Sequence, residues 1–180
     1  AGRAAALPAG TWVDCGRSAI RLALRRMPAR ARRMALLPTY LCETILQPFR
    51  EEGWKVRFFR IDETLRIDGP DLATQAKRHQ PSLVLFINYF GFPVSAAERT
   101  VLRNLRSTHG VRLLEDCVQG SLLEFARPAV GGLGDFVVTS MRKYTGAPDG
   151  ALLRLRSGAR IRVTGEPGPA AHLRLVGKLS

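Results

Sequence analysis

The chain has 180 residues, 46% of them hydrophobic, which fits one globular domain with a sizeable core. No apolar run approaches the ~20 residues of a membrane span, and residues 1–12 lack the long apolar stretch of a secretory signal. The formal net charge is +13, from 28 lysines and arginines against 15 acids.

Arginine supplies nearly all of that charge, since lysine occurs only at 55, 77, 143 and 178. The arginines are spread along the sequence, with one denser stretch, RRMPARARR, at 25–33. A basic nucleic-acid-binding module is one reading of such a charge. No aromatic RNA-binding strand, zinc finger or heptad zipper accompanies it, so a solvated, arginine-biased surface is preferred and nucleic acid is not taken as a partner. Cys15, Cys42 and Cys117 are odd in number and form no CxxC pair. That argues against a disulfide scaffold or a metal site and suits a reducing cytoplasm, with each cysteine read as a small buried hydrophobe.

Taken in order, helices and short strands alternate. Ala19, Ile20, Ala23, Leu24 and Met27 line one face of a helix predicted over 17–27. A strand over 34–37 is closed by Pro38. Residues 42–52 read as a helix stopped by Gly53. A strand over 56–59 follows, then the Gly69-Pro70 turn and a helix over about 71–79. Next come a strand over 83–87, a helix over 96–107, and strands over 111–115, 136–139 and 151–155. Short strands without alternation, separated by helices, indicate a sheet buried on both faces. The expected fold is a three-layer α/β/α domain with a mainly parallel sheet of six or seven strands. Ligands of such sheets sit beyond the carboxyl ends of the strands. Tyr40, Asn88, Asp116 and Ser140 all fall at such ends.

Two segments carry chemistry. LLEDCVQG (113–120) ends a strand on Asp116, with Gln119 just beyond. GDFVVTSMRKYTG (134–146) ends a strand on Ser140, with Lys143 three residues later. An acid, a hydroxyl and a lysine so placed suit pyridoxal phosphate (PLP). The acid keeps the pyridine nitrogen protonated, the hydroxyl helps hold the phosphate, and the lysine forms the Schiff base. Gly16-Arg17-Ser18 opens the first helix, where free N–H groups and the helix dipole make a phosphate site. Lys143 lies in an apolar-flanked segment, so a desolvated amine is expected. Glu115 should face away from Asp116, because side chains alternate along a strand.

These pieces resemble the sugar aminotransferases of the DegT/DnrJ/EryC1/StrS family, which have the aspartate-aminotransferase fold. The resemblance runs through CGRSAIRLAL (15–24), LLPTYLCETILQPF (36–49), GWKVRFFRID (53–62), VLFINYFGFP (84–93), LLEDCVQG and SMRKYTGAPDGALL (140–153). It implies that Tyr40 stacks on the pyridine, that Gln119 lies beside the ring near its phenolic oxygen, and that Lys143 is the Schiff-base lysine. It further implies an amino donor, commonly glutamate, a nucleotide-linked keto sugar as acceptor, and a homodimer. Two departures stand out. Many relatives separate the serine from the lysine by two more residues, and many have histidine where Asn88 stands. The family continues into a small C-terminal domain, whereas 156–180 is a Gly/Pro-containing tail. The resemblance thus implies a truncated PLP-binding large domain over 1–155, served by a complementing C-terminal chain or left as a non-catalytic remnant. His79, His109 and His172 fit no ligand or triad pattern and are read as surface or capping residues.

Overall fold

Every residue of the strands MALLP and LVLFI is buried, because the sheet they form is covered on both faces. The computed structural model describes residues 9–120 and 131–161. Seven strands, β1 (Thr11–Val13), β2 (Met34–Pro38), β3 (Lys55–Phe59), β4 (Leu83–Ile87), β5 (Arg112–Asp116), β6 (Phe136–Ser140) and β7 (Ala151–Leu155), form one sheet in the order β1-β7-β6-β5-β4-β2-β3. The five strands β2 to β6 are mutually parallel, and β7 and β1 add antiparallel at one edge. Four α-helices accompany them: α1 (Gly16–Arg25), α2 (Leu46–Glu51), α3 (Gly69–His79) and α4 (Ala96–His109).

Neighbouring residues of each central strand serve opposite cores, as the two-residue period requires. Leu37, Leu85 and Leu114 pack with Ala19, Ile20 and Ala23 of α1 and Phe49 of α2. Leu36, Val84 and Leu113 pack with Leu72 and Ala76 of α3 and Leu102 and Leu105 of α4. Helices thus cover both faces, and the three-layer, mainly parallel architecture expected from the sequence is the one observed. Among the described residues no helix is long and apolar enough to cross a membrane.

Local chemistry explains where boundaries differ from the sequence reading. α3 starts at Gly69, two residues early, because the Asp68 carboxylate accepts the Asp71 N–H at 2.9 Å and Pro70 is tolerated in a first turn. α4 carries a capping box in which Ser95 and Glu98 exchange backbone and side-chain bonds. The helix predicted over 42–52 is split into a 3₁₀ turn, Glu43–Ile45, and α2. Pro48 has no N–H for the Thr44 carbonyl, so the α-helical ladder cannot extend back through that turn. β1 is three residues long, too short to leave a periodic pattern. β3 is an edge strand and exposes Lys55, Arg57 and Phe58, so it is not buried on both faces.

Candidate functional site

The parallel strands deliver four segments to one end of the sheet: Thr39-Tyr40 after β2, Asn88–Phe90 after β4, Asp116–Gln119 after β5 and Ser140–Lys143 after β6. α1 begins at the same end. Asp116, Ser140, Arg142, Lys143, Gly16 and Arg17 line one cavity of about 340 Å³. Asp116, Cys42, Ile45, Val118 and Lys143 also line a second cavity of about 290 Å³ that reaches Tyr40 and Gln119. The two are therefore parts of one cleft.

Asp116 is the last residue of β5 and only 2% exposed. One carboxylate oxygen accepts the Val118 N–H at 2.9 Å. The other accepts no hydrogen bond among the described residues. Burial pushes its pKa from 3.8 up to about 6, opposed by that N–H and by the charge of Lys143. Glu115 points to the other face, as strand alternation requires. Its carboxylate takes the N–H groups of Gly131 (2.9 Å), Leu133 (2.9 Å) and Gly134 (2.8 Å) and the Asn88 amide (2.8 Å). A Cβ on Gly134 would lie 2.7 Å from that of Glu115, so only glycine lets this segment approach. Glu115 thereby anchors the lead-in to β6, the strand that carries Ser140. Glu115→Gln replaces one acceptor oxygen by a donor facing N–H groups, and should cost about 1–3 kcal/mol in chemical denaturation without changing which residues line the cleft.

Asn88 does not face the cleft. It is buried, and its amide donates to Glu115 and, at 3.2 Å, to Cys117 Sγ. The strand-end position was legible, but the orientation belongs to the Glu115 network. Tyr89, the next residue, takes its place in the cleft, a role the sequence reading missed. Its hydroxyl donates to the Tyr40 carbonyl, and its ring stands 5.6 Å from that of Tyr40. Burial and the nearby Asp116 push the Tyr89 phenol up. Tyr40 itself is 58% exposed and leans over the cleft mouth. Gln119 accepts the Phe90 N–H at 2.7 Å through its carbonyl oxygen, which leaves its NH₂ group to donate elsewhere. Gly120 makes this possible, because a Cβ there would sit 2.6 Å from Gly91 Cα.

At the phosphate end, Cys15 caps α1 without its side chain bonding the opening N–H groups, and the first turn holds no acid. Its opening N–H groups are therefore not claimed by a capping side chain. Ser18 does not line the cleft. It stands against Cys15 Sγ at 3.5 Å and the Asp14 carboxylate. Ser140 is buried on the cavity wall. Lys143 stands on a turn after β6 and is exposed, so the desolvated setting expected from the sequence is not found. The turn itself is the reason: residues 142–146 are all exposed.

Two cysteines also depart from expectation. Cys15 is half-buried and Cys42 is exposed in the cleft, with the Thr44 hydroxyl at 3.1 Å. That hydroxyl, then the Thr44 N–H and the charge of Lys143, hold the Cys42 thiol below its ordinary value. Only Cys117 is buried, and burial raises its thiol pKa strongly. Among the described residues no group of His, Cys, Asp and Glu could hold a metal. A separate cavity of about 220 Å³ lies between Arg66 and Phe92. Its carboxylate, Glu98, is spent on the Ile67 and Ser95 N–H groups, and it contains no lysine. Of the histidines, His109 ends α4 and is exposed, His79 is half-exposed at the end of α3, and His172 lies outside the described residues, as does most of the 156–180 tail.

No protein-family model matches the chain, and neither does any curated protein. Solved structures do. The aminotransferase TlmJ from Streptoalloteichus hindustanus superposes with a TM-score of 0.67 and 21% identity, over 83% of this chain and 41% of that one. Helicobacter pylori PseC, an aminotransferase of pseudoaminic acid biosynthesis, gives 0.66 and 16%, over 92% and 42%. A GDP-4-keto-6-deoxymannose-3-dehydratase, ColD, solved with GDP-perosamine, gives 0.65 and 20%, over 81% and 39%. This chain therefore spans about two-fifths of the length of the proteins it superposes on. Its fold is the one found in part of these enzymes.

Proposed function

We propose that this chain is the cofactor-binding part, over residues 1–155, of a PLP-dependent aminotransferase acting on a keto sugar, with a nucleotide-linked sugar as acceptor and glutamate as donor. The observation that carries the reading is the meeting of Asp116, Ser140, Lys143 and the start of α1 around one cleft, from positions up to 127 apart. The residues fit the cofactor at both ends. A buried carboxylate with one oxygen left without a donor suits a ring N–H⁺. An uncapped helix start beside Arg17, Ser140 and Arg142 suits a phosphate. Bound there, PLP supplies an electron sink for the carbon that carries the amino group.

The chain's own groups do the rest. Asp116 would hold the proton on the ring nitrogen, and its burial would keep that charge pair out of water. The α1 N–H groups of Gly16 and Arg17 and the Ser140 hydroxyl would bind the phosphate, with Ser18 supporting the turn from behind. Tyr40 would cover the ring, and the Gln119 NH₂ group would be available to its phenolic oxygen. Lys143 Nζ would hold the cofactor's aldehyde end, and as a free amine it would move a proton at the donor's α-carbon. Tyr40, Phe90 and Tyr144 are exposed around the cleft mouth, which supports a partner covering it, a second copy in a homodimer or a complementing chain. Free thiols at all three cysteines support a cytoplasmic setting.

A half-reaction tests this reading without knowledge of the sugar. Protein loaded with PLP and freed of excess should release 2-oxoglutarate from glutamate only weakly, as expected of the cofactor-binding part alone, and in an amount no greater than the bound cofactor. Cofactor bound without release of keto acid would favour a non-catalytic remnant, and no binding at all would remove the cofactor assignment.

A further inference from the structure

Among the described residues, a row of cations lies at the end of the sheet opposite the cleft. Backbone bonds join the strand starts there: Lys55 N to Arg33 O (2.8 Å), Ser82 N to Met34 O (2.9 Å), Arg112 N to Ser82 O (2.9 Å) and Arg156 N to Asp135 O (2.9 Å). They set Arg33, Lys55, Arg112 and Arg156 in a row along one edge. Strands lie ~4.8 Å apart, so the row from β3 to β7 spans roughly 24 Å. The last turns of α3 and α4 end at the same edge and add Lys77, Arg78 and Arg106. Arg32 and Arg57 flank it and are exposed. The charges of Arg78, Arg57 and Arg32 together act on His79, after burial, to lower its proton affinity, so these side chains share one neighbourhood.

Three described carboxylates reach this end, and each already faces an arginine: Glu51 with Arg21, Glu52 with Arg25, and Asp135 with Arg112. Arg32, Lys55, Arg57 and Arg78 enter no ion pair among the described residues. Compensation of helix dipoles accounts for cations in last turns, such as Lys77 and Arg78. It does not account for Arg32, Lys55, Arg57 and Arg156, which stand on a loop, on the edge strand and after β7. At the cleft end, by contrast, Asp62, Glu63, Asp68 and Asp71 intermix with the basic residues.

We propose that this basic end binds the phosphate backbone of a nucleic acid, separately from the cleft. A duplex presents a phosphate every ~3.4 Å of axis along each strand, so a ~24 Å row of cations lies against roughly two-thirds of a helical turn. A bilayer or a protein partner calls for apolar anchors at the interface. Of the exposed large hydrophobic residues, Tyr40, Phe90, Phe92 and Tyr144 are at the other end, Trp12 stands mid-strand on β1 opposite Leu152, and Phe58 of β3 is the one nearest the basic row among the described residues. The proposal stands whether or not the cleft holds PLP.

Anisotropy of a labelled random-sequence DNA duplex of about 20 base pairs, with the whole chain and salt from about 50 to 200 mM, tests it. Binding should weaken linearly in log[salt]. The triple variant Arg32→Ala, Arg57→Ala, Arg78→Ala should lower the slope by about 2–3, near 0.9 for each phosphate no longer neutralised. The corresponding triple to lysine should keep it. Arg60→Ala, Arg66→Ala, Arg99→Ala removes equal charge from the cleft end and should leave the slope within about half a unit. An RNA duplex run in parallel decides which nucleic acid is preferred, and binding to either supports the proposal. No binding at about 50 mM salt, an equal fall in slope in both alanine triples, or binding to anionic vesicles in place of nucleic acid would overturn it.

Discussion

Lys143→Ala should reduce release of 2-oxoglutarate from glutamate by at least about 10³-fold. A positioned proton-transfer group alone contributes about 10²–10⁴, and Lys143 is also assigned the covalent anchor. Cofactor affinity should fall without vanishing, because the start of α1, Ser140 and Asp116 remain. Arg142 cannot substitute, since its guanidinium keeps its proton. Fluorescence titration with PLP reports the binding, and keto-acid release reports the chemistry. Undiminished release would remove Lys143 from the mechanism.

Asp116→Asn should act in opposite directions on the empty and the loaded chain. Asp116 rises from 3.8 unfolded to about 6 folded, because burial penalises its charge. The folded state then binds the proton more tightly than the unfolded state. Stability is unpenalised below about 4, falls as pH rises through the interval to about 6, and stays lowered above it. The full penalty is about 3 kcal/mol. Asparagine keeps an oxygen for the Val118 N–H and carries no charge. The empty variant should therefore be more stable than the wild type at pH 8, by up to about 3 kcal/mol, and equal to it at pH 3.5. With cofactor the order reverses, because the neutral amide cannot hold the ring proton, and keto-acid release should drop by about 10²-fold or more. Denaturation at the two pH values, with and without PLP, checks both halves. An equal difference between variant and wild type at the two pH values would show that Asp116 does not titrate as described.

Particular residues show how much of this was legible in the sequence. β2, β4 and β6 were legible because apolar runs bounded by turns fit a doubly covered sheet, and β5 because its short apolar core, Leu113-Leu114, repeats that spacing after a helix. Their carboxyl ends then located Tyr40, Asp116 and Ser140 together, a consequence of topology that needs no side-chain detail. The direction of individual side chains was less accessible. Asn88 turns to Glu115 because a buried carboxylate collecting loop N–H groups draws the amide, and those groups come from residues 131–134, far away in sequence. Ser18 turns to Asp14 for a similar local reason. Cys42 looked like a small hydrophobe until the 3₁₀ turn forced by Pro48 placed it at the cleft. The charge was weighed in the sequence as a total and as one dense stretch, without its placement in space. Arginines spread along the sequence converge in space, because parallel strands start, and their helices end, at the same edge.

The most direct measurement uses the scarcity of lysine, which occurs only at 55, 77, 143 and 178. The chain saturated with PLP is reduced with borohydride, digested and mapped by mass spectrometry, so that any cofactor joined to an amine is fixed in place. The account predicts one dominant modified peptide, the one containing Lys143, and its loss in Lys143→Ala. Modification centred on Lys55 or Lys77, or distributed evenly over the lysines, would contradict it.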